Sequence, residues 1–278
     1  MWATEADIPE IIEFLSPLAA QSMFPLANLR NHGLNKQHRH SPNFWLTRRD
    51  GKVTDILTIT QGGLVLPQCP SMEWNDLHET LAKRDLTGMI GPADQSRSFL
   101  STFGLDLAPK SLDQDEPQYE LILEDLLIPD GSSDIFPLAT ADKEEMIRWR
   151  YEYELETLNM RPEDARPTAE RDYDSYCSAK SHVVLREGGA AVCTTGFNAR
   201  LPDIVQIGGV YTPPNFRRHG HARRAVALHL QQAKFEGVKR ATLFSANEYA
   251  ARAYQAIGFT YVGEWTLCLF DGKQRVHD

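Results

Sequence analysis

The chain has 278 residues, 42% hydrophobic and 24% charged, and its 29 Lys and Arg against 38 Asp and Glu give a net charge of −9. This is enough chain to bury a full core in one large domain or two smaller ones, and the composition excludes a disordered, collagen-like or coiled-coil protein. The acidic balance disfavours a broad nucleic-acid surface, so no nucleic-acid partner is expected and a local basic patch would stand out.

The start, MWATEADIPEII, carries acids where a secretion signal would carry basic residues, and the apolar run LILEDLLI is broken by charge. Neither a leader nor a membrane span is therefore expected. Cys69, Cys177, Cys193 and Cys268 lie far apart with no C-x-x-C pair, which fits reduced thiols better than a disulfide framework. These features predict a soluble cytoplasmic protein without a membrane partner.

In chain order, a helix is expected over residues 6–18, capped by Thr4, with Pro9 tolerated in its first turn. Strands at 44–48 and 53–60 flank Asp50-Gly51, a hairpin dipeptide. Helices near 74–84 and 92–103, and strands near 86–90 and 118–127, complete a first half. The turn formers PDGSSD at 129–134 follow the apolar run Leu121–Ile128 and read as a linker, giving domains 1–130 and 134–278.

The second half opens with a short strand, 135–139, and a helix from Asp142 to Leu158 with Ile147, Tyr151, Leu155 and Leu158 on one face. A second helix is expected after Pro167, then strands 182–186 and 191–197 joined through Glu187-Gly188-Gly189, and a strand 204–212. A helix 220–236 stops at Gly237, a strand covers 238–245, a helix 248–257 ends at Gly258, and two strands close the chain around Gly263-Glu264. The fold class is α/β of the mixed α+β kind, and the first half loosely echoes the element order of the second.

The informative stretch is QIGGVYTPPNFRRHGHARRAVALHL. Pro213-Pro214 stop a strand, and a loop then opens a helix at Gly220. The first N–H groups of a helix have no internal partner and carry the positive end of its dipole, so this makes an anion site. Gly220 would let a diphosphate approach the backbone with no Cβ in the way, and Ala222 keeps the first turn thin. Arg217, Arg218, Arg223 and Arg224 concentrate positive charge on an otherwise acidic chain. Neither the dinucleotide G-x-G-x-x-G nor the nucleotide-loop G-K-[ST] is present.

What is present, R-x-x-G-x-A over residues 217–222 after V-Y-T-P-P, resembles the acetyl-coenzyme A loop of the GNAT family of N-acetyltransferases. The segment ending in Phe244-Ser245, followed by Asn247-Glu248-Tyr249-Ala250-Ala251-Arg252-Ala253-Tyr254 and Ile257-Gly258-Phe259, continues the likeness. It covers roughly 135–271 and is strongest over 206–270. The resemblance implies a mixed, mostly antiparallel sheet flanked by helices and splayed beside the loop, with two tandem GNAT-like domains. The first of these would be a degenerate copy, since Thr87-Gly88-Met89-Ile90-Gly91-Pro92 lacks the arginines.

The implied activity is transfer of an acetyl group from acetyl-coenzyme A, the co-substrate, to a small-molecule or peptide amine by direct attack. The resemblance assigns coenzyme binding to Val210, Tyr211, Thr212, Arg217, Arg218, His219, Gly220, His221, Ala222, Arg223, Asn247 and Tyr254. The backbone of Val210 would polarise the thioester carbonyl, and the Tyr254 hydroxyl would protonate the departing thiolate. Without the loop, Asn247 would read as a helix cap and Tyr254 as a core aromatic. Many family members carry a glutamate on the strand before the loop. Here Gln206 stands in that stretch and cannot act as a base, leaving water, Glu152 or Glu154, although those two acids also suit a solvated helix face. The missing strand carboxylate keeps open a non-catalytic acyl-coenzyme A sensor or interaction module. His38, His40, His219 and His221 lack companion ligands at metal spacing, so no metal is expected.

Overall fold

The computed structural model describes residues 1–74, 77–245 and 247–276. Pro9 sits in the first turn of α1 (Ile8–Leu15), which buries Ile11 and Leu15 one turn apart. The helix expected over 6–18 stops there, and a second, α2 (Ala19–His32), follows it. Pro25 inside α2 and non-helical backbone at Ser22 kink it, which is why the stretch reads as a break in sequence.

Asp50 and Gly51 both take positive φ, 50° and 77°, the turn geometry that matches strand twist. They join β1 (Pro42–Arg49) to β2 (Lys52–Thr60), and β3 (Leu64–Gln68) pairs antiparallel with β2. The helix expected near 74–84 is reduced to α3 (His78–Leu81), residues 75 and 76 lying outside the described ones. Then come β4 (Leu86–Pro92), α4 (Ala93–Thr102) and β5 (Lys110–Ile122), which starts eight residues before the strand expected at 118.

The second half follows expectation closely through β6 (Asp134–Pro137) and α5 (Lys143–Thr157), whose N-cap Asp142 accepts the Glu145 N–H at 2.8 Å. The next helix, α6 (Pro162–Ala179), begins with Pro162 in its first turn and carries Pro167 inside, so it starts earlier than Pro167 implied. After it run β7 (His182–Glu187), β8 (Ala190–Arg200), β9 (Ile204–Tyr211), α7 (His221–Phe235), β10 (Arg240–Phe244), α8 (Glu248–Gln255) and β11 (Thr260–Gln274). The two strands expected around Gly263-Glu264 are one continuous strand.

The chain forms two compact units, Met1–Glu116 with Gly263–Asp278, and Pro117–Val262. In unit 1, β1, β2 and β3 are antiparallel neighbours, β3 and β4 are parallel, and residues 265–269 of β11 pair antiparallel with β4. In unit 2, β6 to β9 are antiparallel, β9 and β10 are parallel, and residues 118–122 of β5 pair antiparallel with β10. Each unit thus has a mixed, mostly antiparallel sheet with helices packed on it. The units divide at 116/117 and 262/263, not in the turn-rich stretch 129–134. That stretch lies within unit 2 because Arg224 holds it: its guanidinium donates to the carbonyls of Pro129, Gly131 and Ser133. Gly263 marks where β11 passes between units, so its turn chemistry misleads.

Unit 2 buries apolar groups on both faces of its sheet. Tyr119, Leu121, Val205, Ile207, Val226, Leu230, Tyr254 and Phe259 form one cluster. Ile147, Trp149, Ala169, Val184 and Tyr211 form another under α5 and α6. All four cysteines are free thiols, and burial pushes Cys193 up to about 12 and Cys268 to about 11. Among the described residues no helix is long and apolar enough to cross a membrane.

Candidate active site

The parallel pairing of β9 and β10 ends at Gln206↔Thr242, so residues 207–211 of β9 present an edge that β10 does not cover. On its other side β9 bulges. Tyr211 faces Thr194 and Gly208 faces Gly196, which sets Gly209 and Val210 against Thr195 alone. Gly209 takes φ +60°, which favours glycine, and a Cβ on Gly208 would displace the exposed Asn198 side chain. A bulge of this kind bends the strand and removes one residue from the ladder. Val210, half-buried, packs against the α7–α8 cluster, whereas the Tyr211 ring points to the opposite face.

The loop that follows has two left-handed residues, Arg218 at φ 66° and Gly220 at φ 81°, on either side of His219. Such alternation turns successive N–H groups toward one concavity. Gly220 is the N-cap of α7, and the Arg224 N–H donates to its carbonyl at 3.0 Å. The N–H groups of His221, Ala222 and Arg223 precede that first helical bond. A Cβ on Gly220 would meet only an Arg223 nitrogen at 3.7 Å. The protein around it leaves room for a Cβ, so within the chain itself the position favours glycine for its backbone angle.

The basic residues divide into two groups. Arg217 donates from Nε to the Thr212 carbonyl at 2.9 Å and pairs with Glu156 at 2.6 Å. It braces the loop, and so does Arg224 through the 129–133 carbonyls; neither offers its charge freely to an anion. Arg218 is exposed, and neither Arg218 nor Arg223 has an ion pair among the described residues. Arg223 Nε is buried without a partner. His219 Nδ1 lies 3.4 Å from the Phe216 carbonyl, and buried His221 has Nε2 3.8 Å from the Glu187 carboxylate. The Thr212 hydroxyl donates to Cys193 Sγ at 3.3 Å.

Beyond β10, the Asn247 side-chain oxygen accepts the Ala250 N–H at 3.0 Å as the N-cap of α8. That single bond occupies one of the two acceptor sites of the oxygen and none of the amide N–H donors. Tyr254, 7% exposed, lies in the cluster on which Val210 packs, its ring edge-to-face with Phe259 at 6.1 Å. The structure thus brings Val210 and Tyr254 onto one cluster.

The other face of β9 carries what sequence reading missed. A small cavity is lined by Trp149, Arg150 and Tyr153 of α5, Tyr173 and Tyr176 of α6, and by His182, Thr194, Gly209 and Tyr211 of the sheet. Arg150 pairs with Glu154 at 2.6 Å and with Asp172 at 2.7 Å, and lies over the ring of Tyr153. Burial raises the Glu154 carboxyl above its usual range against the pull of Arg150. The Tyr211 hydroxyl donates to Glu152 at 2.8 Å. The sequence signal was Gly196, Gly208 and Gly209 inside strands, where glycine marks a bulge or a close approach.

The Acetyltransferase (GNAT) family model matches residues 143–259. Among curated proteins no relative matches. Among solved structures, a GCN5-related N-acetyltransferase from Sphaerobacter thermophilus is 16% identical with a TM-score of 0.58, covering 100% of this chain and 96% of its own. One from Kribbella flavida is 15% identical at TM-score 0.54, covering 90% and 94%. A tandem GNAT protein from the clavulanic acid biosynthesis pathway is 14% identical at TM-score 0.51, covering 86% and 84%. The likeness to the family model thus lies within residues 143–259. The fold shared with these neighbours extends over most of the chain's length.

Proposed function

We propose that unit 2 is an acetyl-coenzyme A-dependent N-acetyltransferase acting on a primary amine. The observation that carries the reading is the uncovered, bulged edge of β9 running directly into a glycine-capped α7. The residues present fit the coenzyme. The N–H groups of 221–223, with Arg218 and the unpartnered Arg223 guanidinium, would hold its diphosphate. The β9 edge would bond the pantetheine arm as an added strand. When bound, the group supplies a thioester carbonyl open to an amine nucleophile.

The Val210 N–H, displaced from the ladder by the bulge, would polarise that carbonyl. Buried Tyr254 would donate its phenol proton to the leaving sulfur. Asn247 would chiefly set the start of α8. The acceptor is a small-molecule or peptide amine, and buried high-pKa thiols suit a cytoplasmic setting. Calorimetry with acetyl-coenzyme A followed by thiol-release assays with primary amines tests this. Saturable binding with transfer supports it, and absence of binding overturns it.

One observation favours a second reading. Gln206, in the stretch where many family members carry a strand glutamate, is 2% exposed and donates to the Ile207 carbonyl at 2.5 Å. A sensor that binds acyl-coenzyme A without transferring the acyl group needs no base there. Binding without transfer to any amine would decide for it.

A further inference from the structure

The cavity beneath α5 and α6 contains one buried titratable group with an unused atom. His182 opens β7 and is 4% exposed, with its ring stacked on Tyr176 at 3.5 Å. Its seat is cleared by two glycines. A Cβ on Gly196, its cross-strand partner, would overlap the imidazole, and one on Gly209 would lie 2.9 Å from Nε2. Nε2 therefore faces the β9 backbone at the residue preceding Val210, and it has no hydrogen-bond partner. The other ring nitrogen, Nδ1, is 2.9 Å from the half-buried Ser181 hydroxyl.

The other candidate bases differ in kind. Glu154 does not line the cavity and, although neither of its carboxylate oxygens has a hydrogen-bond partner, it is ion-paired to Arg150; Glu152 accepts the Tyr211 hydroxyl, and Gln206 carries no titratable group. Among the described residues lining this cavity, the His182 imidazole is thus the one buried titratable side chain with an unpaired ring nitrogen. We propose that His182 is the catalytic proton acceptor, with Nε2 taking the proton of the attacking amine as it enters the cavity past Gly209. This assignment rests on the acetyltransferase reading above.

In the step, the amine nitrogen bonds the acyl carbon and the carbon–sulfur bond breaks. One amine N–H proton passes to His182 Nε2, and the sulfur receives a proton from Tyr254. Nε2 then gives that proton up to solvent as product leaves, restoring the neutral Nδ1–H tautomer that Ser181 faces, while Tyr254 regains its proton from water. Burial and the neighbouring Arg150 hold the imidazole well below its ordinary pKa. It therefore starts neutral and releases the proton readily.

The test combines nitrogen NMR with kinetics. In wild-type protein labelled with 15N-histidine, Nε2 of His182 should resonate as an unprotonated ring nitrogen at neutral pH and shift when acetyl-coenzyme A saturates the protein. A protonated Nε2, or no response to acetyl-coenzyme A that calorimetry shows to be bound, overturns the assignment. His182→Gln, which keeps most of the side-chain volume, should bind acetyl-coenzyme A unchanged and lose about 100-fold or more in kcat. The acceptors are n-butylamine, spermidine, glycine and a lysine peptide. Transfer within about twofold of wild type would sink His182 while leaving the acetyltransferase reading intact. If wild type binds no acetyl-coenzyme A, or acetylates none of these amines, the reading itself falls and takes this assignment with it. Should the variant fail to fold, the wild-type NMR measurement still decides.

Discussion

Units 1 and 2 run through the same order of elements, two helices, three antiparallel strands, then a strand parallel to the third, yet they end in different places chemically. In unit 2, β9 finishes in the Gly208–Gly209 bulge and leads into a 15-residue helix capped by Gly220. In unit 1, β3 finishes in Pro67-Gln68, and the four-residue α3 is the one helix described between β3 and β4. Pairing of β3 with β4 stops after Val65↔Met89. The gap beyond it is filled, since a Cβ on Gly91 would lie 2.7 Å from the Pro67 ring. The helices differ too. α1 and α2 bury Ile11, Leu15, Met23 and Leu26, whereas α5 and α6 enclose the Arg150–Glu154–Asp172 network. A shared topology makes a parallel strand pair; a bulge and a long, glycine-capped helix are what unit 2 adds to it.

The largest expected effect comes from Arg150→Met, which strips the cation from two carboxylates enclosed under β9. It should cost about 3–5 kcal/mol in urea unfolding. Arg97→Met in unit 1 breaks pairs with Asp113 and Asp115 that are more than a third exposed, and should cost about 1 kcal/mol or less. Equal costs would erase the contrast between a polar site and a structural ion pair.

Next is Gly220→Val. Forcing a β-branched residue to φ +81° should weaken acetyl-coenzyme A binding about 100-fold, roughly 2.7 kcal/mol. Gly91→Ala should leave that affinity untouched while costing about 1–3 kcal/mol of stability through overpacking. Coenzyme affinity that responds to Gly91 instead would reverse the roles of the units.

His229 of α7, stacked on Phe197 at 3.9 Å, is pulled down to about 3 by burial, with Arg200 adding and Glu236 opposing. The folded pKa is depressed, so the unfolded chain takes up a proton below about 6.5 that the folded state refuses, and stability falls with acid. At pH 5 the loss is about 2 kcal/mol. His229→Phe should remove that portion of the slope between pH 7 and 5; an unchanged slope would show that the ring titrates in place. The smallest effect is that of Asn247→Ala, about 1 kcal/mol for the lost cap. A large drop in coenzyme affinity with little loss of stability would return Asn247 to the coenzyme contact that the family resemblance implied.

Where local chemistry dictated structure, the sequence was legible. Asp50-Gly51, the Asp142 cap and the Pro213–Gly220 passage into α7 each follow from backbone geometry set within a few residues. Pro25 hid α2 because a kinked helix and a broken one look alike along the chain. The division into units was hidden for a different reason. β5 and β11 change unit partway along, and such an exchange depends on pairing over more than a hundred residues. At the site, the positive φ of Gly220 was not read from the sequence, nor were the partners of Arg217 and Arg224. Their partners, Glu156 and the 129–133 carbonyls, lie far away in sequence. His182 passed unnoticed because a lone histidine acquires meaning only from the two glycines packed against it.

The central claim is that one unit of two holds the coenzyme. Isothermal titration of the whole chain with acetyl-coenzyme A, repeated on Gly220→Val, tests it most directly. The account predicts one site per chain, lost in the variant. Two sites, no site, or a single site that survives Gly220→Val would contradict it.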